Sequence, residues 1–245
     1  MRPTEQLGSC TGLAALTRRG LFALSALALV ACGDDGNKMT TCAHPPGAFA
    51  EGDPVGHADP LHAGPSEARA GRIHGADLPV VPSGLVTWKD GDFVLANDRV
   101  ALVIEDVGDS DLYDPWGGRP VGLARVAGGQ LIEPANFGEL FFLTGRSTII
   151  TDSVSVINDG SDGKPAIIRA RGKLHPIPFL ENLLVSVFSD PLDDIDAAID
   201  YELAPGAEVV TIRMRYASSR TDAKRLPPVM NALLYTKRTP VFQPG

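Results

Sequence analysis

The chain is short of cysteine, of positive charge, of long apolar runs and of helical periodicity, and each shortage removes a class of protein. Its three cysteines, Cys10, Cys32 and Cys42, all lie near the start of a 245-residue sequence. No pair of them can cross-link the body of the chain, so the fold has to be held by a core and not by a disulfide framework. Lysine and arginine number 22 against 30 acidic residues, a formal charge of −8. That balance argues against a nucleic-acid partner and provides no electrostatic pull toward anionic lipid. The apolar run Leu21 to Val30 has ten residues, where a spanning helix needs about 20, so it is not a permanent membrane span. Histidine is scarce where chemistry would need it: four of the five, His44, His57, His62 and His74, precede the folded region and only His175 falls inside it.

What is present first is an export address. Arg18 and Arg19 supply a positive end, Leu21 to Val30 the apolar segment, and Ala31 the small residue before a cleavage point. The tetrapeptide Leu29-Val30-Ala31-Cys32 resembles the lipobox of bacterial lipoproteins, in which the cysteine is acylated and becomes the new first residue. The resemblance implies a signal peptide over 1–31, lipidation of Cys32 and a chain held in the cell envelope, at the periplasmic face of the inner or outer membrane or at the cell surface. Multiple acyl chains hold firmly because each buried CH2 contributes about 0.8 kcal/mol and one chain alone binds reversibly. Thr17-Arg18-Arg19-Gly20-Leu21-Phe22 also resembles a twin-arginine signal, with Ala23 standing where a basic residue is often found. Removing residues 1–31 takes away Arg2, Arg18, Arg19 and Glu5, which moves the formal charge from −8 to about −10.

Residues 32–78 are rich in Gly, Pro, Ala, Asp and His and have neither helical nor strand periodicity. They are read as a disordered tether that cannot bury enough apolar surface to offset its ordering entropy. Within it His57, Asp59 and His62 have donor types suited to zinc. A Pro/Gly tether gives no second shell to orient them, so no metal or other cofactor is expected. Cys42 is left without a partner once Cys10 is cleaved off and Cys32 acylated.

The domain over 79–245 reads as all-β, an antiparallel β-sandwich or supersandwich. Asp92 to Ala96 and Arg99 to Glu105 flank the tight connection Asn97-Asp98, and RVALVIE is apolar at nearly every position, as in a strand covered on both faces. Ser147 to Ile157 and Pro165 to Leu174 flank the loop Asn158 to Gly163, with Ile167, Arg169, Arg171 and Lys173 sharing one side of the return strand. In Asp193 to Pro205, Ile195, Ala197, Ile199, Tyr201 and Leu203 alternate with Asp194, Asp196, Asp200 and Glu202. Pairing with Val210 to Tyr216 would set acids against Arg213 and Arg215. Phe179 to Phe188 fits a short helix or a strand equally, and Val229 to Tyr235 reads as a strand. The ending TPVFQPG has no closing element, so the domain is expected to be truncated at its C-terminus.

The phrases GDFVLANDRVALVIED, VINDGSDGKPAIIRARG and YELAPGAEVVTIRMRY resemble the amino-terminal module of large Gram-negative extracytoplasmic lipoproteins, and are similar to galactose-mutarotase-like β-supersandwiches of carbohydrate-active proteins. The resemblance covers roughly Gly84 to Ser218 and implies architecture; no phrase in it is a catalytic signature. Mutarotase-type chemistry sets an acid and a base across a sugar ring, and His175 alone does not match such a site.

The binding candidate is the loop Asp109 to Pro120. Tyr113 and Trp116 have flat faces for a sugar, Asp111, Asp114 and Arg119 have groups for hydroxyls, Gly117-Gly118 allows close approach, and His175 is added as a neighbour. The alternative is that Trp116 plugs the end of the sandwich and the acids cap a turn. Asn158 to Gly163 resembles the start of a calcium loop, but Ala170 stands where the bidentate acid belongs; Asp190, Asp193, Asp194 and Asp196 form a second acidic group, read as solvated. The expectation is a membrane-anchored lipoprotein whose non-catalytic β-sandwich binds or scaffolds, with a glycan or an envelope component as partner. The alternatives are the front module of a larger metallohydrolase and, third, a carbohydrate-active enzyme.

Overall fold

The structure, a computed structural model, describes residues 49–79, 88–108, 113–137, 139–178, 192–219 and 225–234. The segment 1–31, Cys32, Cys42, Asp111, Phe179 to Phe188, Asp190 and the ending 235–245 lie outside the described residues. Everything described belongs to one of the chain's two units, Thr40–Gly245. It is built almost wholly from antiparallel strands, arranged as two sheets in the manner of a β-sandwich.

The first sheet is a meander of β1 (Ala68–Arg72), β2 (Phe93–Asn97), β3 (Val100–Ile104), β4 (Pro120–Ala127) and β5 (Gln130–Asn136), paired in that order. The second holds β6 (Glu139–Thr144), β7 (Ser147–Asn158), β8 (Ala166–Pro176), β9 (Asp196–Leu203), β10 (Val210–Ala217) and β11 (Val229–Leu234), in the order β10-β9-β8-β7-β6-β11. The β2–β3 hairpin turns at Asp98-Arg99, one residue on from the expected Asn97-Asp98: the Asn97 side-chain oxygen accepts the Arg99 and Val100 amides, a local bond that closes a tight turn.

Strand alternation divides the core into two layers. Phe93, Leu95, Leu102 and Ile104 face Ile149, Val156, Ile168, Leu174, Ile199, Tyr201 and Leu203 between the sheets. Val94, Ala96, Ala101 and Val103 point the other way, against Leu61, Ile73, Trp88 and Val121. The apolar continuity of RVALVIE therefore reports a strand buried on both faces, as expected. Each such fully buried aliphatic or aromatic side chain stabilises by about 1.5–3 kcal/mol. Trp88 is pinned by its indole N–H, which donates to the Val121 carbonyl at 3.1 Å.

The outer layer corrects the tether boundary. Leu61 and Ile73 are 3 % and 1 % exposed, Ala68 and Ala70 are fully buried in β1, and Asp53 exchanges two 2.8 Å backbone bonds with Val156. Residues 49–78 are thus part of the folded body, not a disordered tether. The pattern was hidden because β1 packs through alanines, whose small side chains carry little hydrophobic signal. Its glycines also serve contact instead of freedom: a Cβ on Gly71 would lie 2.2 Å from the His57 carbonyl oxygen.

On the outer face of the second sheet, the acids of β9 and the arginines of β8 and β10 come into register as the sequence indicates. Arg213 and Arg169 both stand opposite Asp200, and Thr211 opposite Glu202. Asp200 accepts a fork from Arg169 at 2.6 and 2.9 Å and a further bond from Arg215. Burial alone would raise the Asp200 carboxyl, yet the hydrogen bonds and charge of Arg169, joined by those of Arg215, hold it below its ordinary value. The segment before β1 crosses this face, where the Arg169 and Arg171 guanidiniums donate to the Ala50 and Phe49 carbonyls.

Candidate functional site

Strand β3 ends at Ile104 and β4 begins at Pro120, and the loop between them returns at its own base. Glu105 N donates to the Arg119 carbonyl and Gly118 N to the Glu105 carbonyl, each at 3.0 Å, while Gly108 N reaches the Trp116 carbonyl at 3.0 Å. The returning limb lies on the second sheet. Thr151 Oγ1 donates to the Gly117 carbonyl at 3.0 Å, and the Tyr201 hydroxyl to the Gly118 carbonyl at 2.9 Å. The glycine pair is needed here for two reasons: φ is 77° and 69°, and a Cβ on Gly118 would lie 2.7 Å from the Ala170 Cβ. Close approach at Gly117-Gly118 therefore seats the loop on β7 and β8, where the sequence had suggested room for a ligand.

Of the predicted site residues, Tyr113 is exposed, Trp116 and His175 are half-buried, and Asp114 and Arg119 are buried. Tyr113 is 44 % exposed. Trp116 is half-buried and meets His175 edge to face, with ring centroids 5.6 Å apart at 81°. His175 stands opposite Thr148 in the β7–β8 register, and Thr148 Oγ1 donates to Asp114 Oδ2 at 3.0 Å. Asp114 and Arg119 are only 3 % and 1 % exposed, so they lie beneath the loop surface on which the sequence reading placed them. The base of the loop, where Glu105 N donates to the Arg119 carbonyl, sets Arg119 beside Glu105.

Three buried polar residues at the base of the loop were passed over by motif reading. Glu105 is 3 % exposed and its Oε2 lies 3.2 Å from Arg119 Nη2. Tyr201 is fully buried; burial, reinforced by the charge of Asp114 and opposed by that of Arg119, pushes its hydroxyl well above the ordinary tyrosine value. Asp92, also 3 % exposed, accepts the Lys89 amide at 2.8 Å and the Asp106 amide at 3.3 Å. Its carboxyl is pushed up to about 6, mainly by burial and further by the charge of Glu105, against the pull of those two amides. An available signal was Glu105 itself, an acid closing an otherwise apolar strand.

The other sequence candidates have local explanations. Asp59 N donates to His57 Nδ1 at 3.0 Å, and His62 Nδ1 bonds Asp59 Oδ1 at 2.6 Å, a small turn on the body of the fold. In the loop after β7, Gly160 N donates to Asn158 Oδ1 and Ser161 N to Asp159 Oδ1, so these oxygens are occupied by turn amides. Asp196 is 3.3 Å from Lys173. Among the described residues no group of three or more His, Cys, Asp or Glu is placed to hold a metal ion. Chemically, the Trp116–His175 pair and the exposed Tyr113 offer aromatic and imidazole groups suited to noncovalent contact. No protein-family model, curated protein or solved structure matches the chain.

Proposed function

We propose that the protein is a lipid-anchored lipoprotein of the bacterial cell envelope, whose β-sandwich binds or scaffolds without chemistry of its own, toward a glycan or another envelope component. The observation that carries the reading is Leu29-Val30-Ala31-Cys32 placed directly after the Leu21 to Val30 apolar run. The Trp116–His175 pair and the exposed Tyr113 support the binding half, since flat amphipathic faces beside polar groups suit sugars. Membrane attachment rests on the lipid, because the chain is acidic and, among the described residues, no helix is long and apolar enough to cross a membrane.

The test is Cys32→Ala in the full chain. Metabolic labelling with a fatty-acid analogue should mark the wild type and not the variant, and the variant should leave the membrane fraction. Retention of the variant in washed membranes would overturn the anchor.

A further inference from the structure

The most deeply placed charge in the loop is the one whose bonding is least complete. Arg119 is 1 % exposed, and its Nε, Nη1 and Nη2 all lack a hydrogen-bond partner. Glu105 Oε2 is 3.2 Å from Nη2, near enough for charge attraction, yet it too lacks a hydrogen bond. The backbone accounts for this. Glu105 N donates to the Arg119 carbonyl at the base of the loop, which brings the two side chains together, but they approach at one atom pair and not fork to fork as a bidentate pair would. Buried donors and acceptors in this state are costly, and native proteins satisfy them from protein, water or ligand.

The surroundings define what can satisfy them. An anion would meet Glu105 and the charge of Asp114; a cation would meet the guanidinium and Lys89, whose Nζ is 3.8 Å from the other Glu105 oxygen. A neutral group is left, and it must both accept from Arg119 and donate to Glu105. A hydroxyl does both. We infer that the Arg119–Glu105 pair beneath the Trp116 loop is a hydroxyl-binding site, in which an O–H oxygen accepts from the guanidinium while its proton goes to Glu105 Oε2. Two sources share this chemistry. An ordered water fits the near-complete burial of both residues, and a polyol or saccharide hydroxyl fits a ring docked on Trp116. The saccharide source rests on the glycan reading above; the water source stands without it.

The two are separated on the full mature chain carrying Cys32→Ala and labelled with 15N. The reporter is the Arg119 Nε–Hε resonance, assigned by its loss in Arg119→Met. Glycerol, D-glucose and D-galactose are titrated in one arm, phosphate and acetate in the other, with cross-relaxation to water recorded throughout. A water cross-peak that no polyol disturbs identifies water; a saturable shift with a polyol that erases the cross-peak identifies the saccharide hydroxyl. Glu105→Gln, which preserves shape, should shorten the residence of either by about tenfold, with fold retention read from the indole resonances of Trp88 and Trp116. A shift driven by phosphate or acetate, or the absence of both cross-peak and polyol shift, overturns the site. Failure of this assay leaves Cys32-dependent membrane partition unaffected, so it is distinguishable from failure of the anchor.

Discussion

The hydroxyls of Thr144 and Tyr216 meet at 2.6 Å, although β6 and β10 stand four places apart in the order β10-β9-β8-β7-β6-β11. In a flat sheet four strand spacings would separate them by about 19 Å. The contact exists because β6 pairs with β7 only at Thr144↔Ser147. Phe142 of β6 lies in the inter-sheet core and Tyr216 of β10 packs against the same core, so the curl of the second sheet brings its two ends together. The side-chain bond closes the curl.

Removing that bond should be measurable and mutual. Tyr216→Phe is expected to cost about 0.5–1.5 kcal/mol in denaturant unfolding. Thr144→Val should cost somewhat more, because it leaves the partly buried Tyr216 hydroxyl in a poorer environment. In the double variant the losses should fall short of additive by about 0.5–1 kcal/mol. Strict additivity would show that the two hydroxyls contribute nothing to each other and that apolar packing alone holds the curl.

Asp92 gives a pH signature with a definite sign. Its folded-state carboxyl is raised to about 6 from an ordinary 3.8, so the folded protein holds the proton more tightly than the unfolded chain. The associated stability is complete below about pH 4 and is lost as pH rises through about 6, by about 3 kcal/mol in order of magnitude. Carboxylates whose values are lowered, Asp200 and Asp162 among them, act in the opposite sense at lower pH. The difference between wild type and Asp92→Asn therefore isolates the effect. Between pH 4 and 6 the wild type should lose stability relative to the variant, and parallel profiles would show that Asp92 titrates normally.

The parts of this fold that sequence reveals are those where side chains alternate by size and polarity. Tyr201 and Leu203 against Asp200 and Glu202 place β9 with its inner face already assigned, and Arg213 and Arg215 fix its partner. Strand β1 escapes because Ala68 and Ala70 provide burial without hydrophobic contrast, and because Gly71 looks like a break when it is a contact. The candidate site was legible in its aromatic members and not in its depth. Trp116 and His175 do come into contact, but no spacing rule says that Arg119 turns inward toward Glu105. That follows from a backbone bond between residues fourteen apart.

If residues 49–78 belong to the folded body, a truncation there must behave as a core mutation. Leu61 is 3 % exposed against Ile73, Trp88 and Val94. Leu61→Ala should cost about 2–4 kcal/mol of unfolding free energy, and limited proteolysis of the wild type should leave 49–78 attached to the sandwich. Rapid cleavage throughout 49–78 with no change in the melting of the remainder would return the segment to a tether.

The outer-face charges should divide by burial. Asp200 is 3 % exposed and binds Arg169 and Arg215, whereas the Glu202 and Arg213 side chains are 25 % and 44 % exposed. Asp200→Asn leaves Arg169 partly buried beside a neutral group and should cost about 2–3 kcal/mol, less than a fully buried broken pair because Arg215 still reaches water. Glu202→Gln should cost under about 1 kcal/mol and less still in high salt. Equal losses at the two positions would mean that cross-strand charge matters here irrespective of burial.

Trp116 distinguishes a binding surface from a structural plug. Its ring is half-buried and its contact with His175 is edge to face, a geometry that contributes about 0.5–1.5 kcal/mol beyond area. The loop under it is held independently, by backbone bonds at Glu105 and Gly108 and by Thr151 and Tyr201 on the Gly117 and Gly118 carbonyls. Trp116→Ala should therefore lower stability by only about 1–2 kcal/mol while reducing retention on immobilised glycan gels at least severalfold. His175→Ala should reproduce part of that loss by freeing the tryptophan edge. If the wild type is retained by no glycan gel, or if Trp116→Ala unfolds the domain, the ring is a plug for the end of the sandwich and the Trp116–His175 pair is not where a sugar is held.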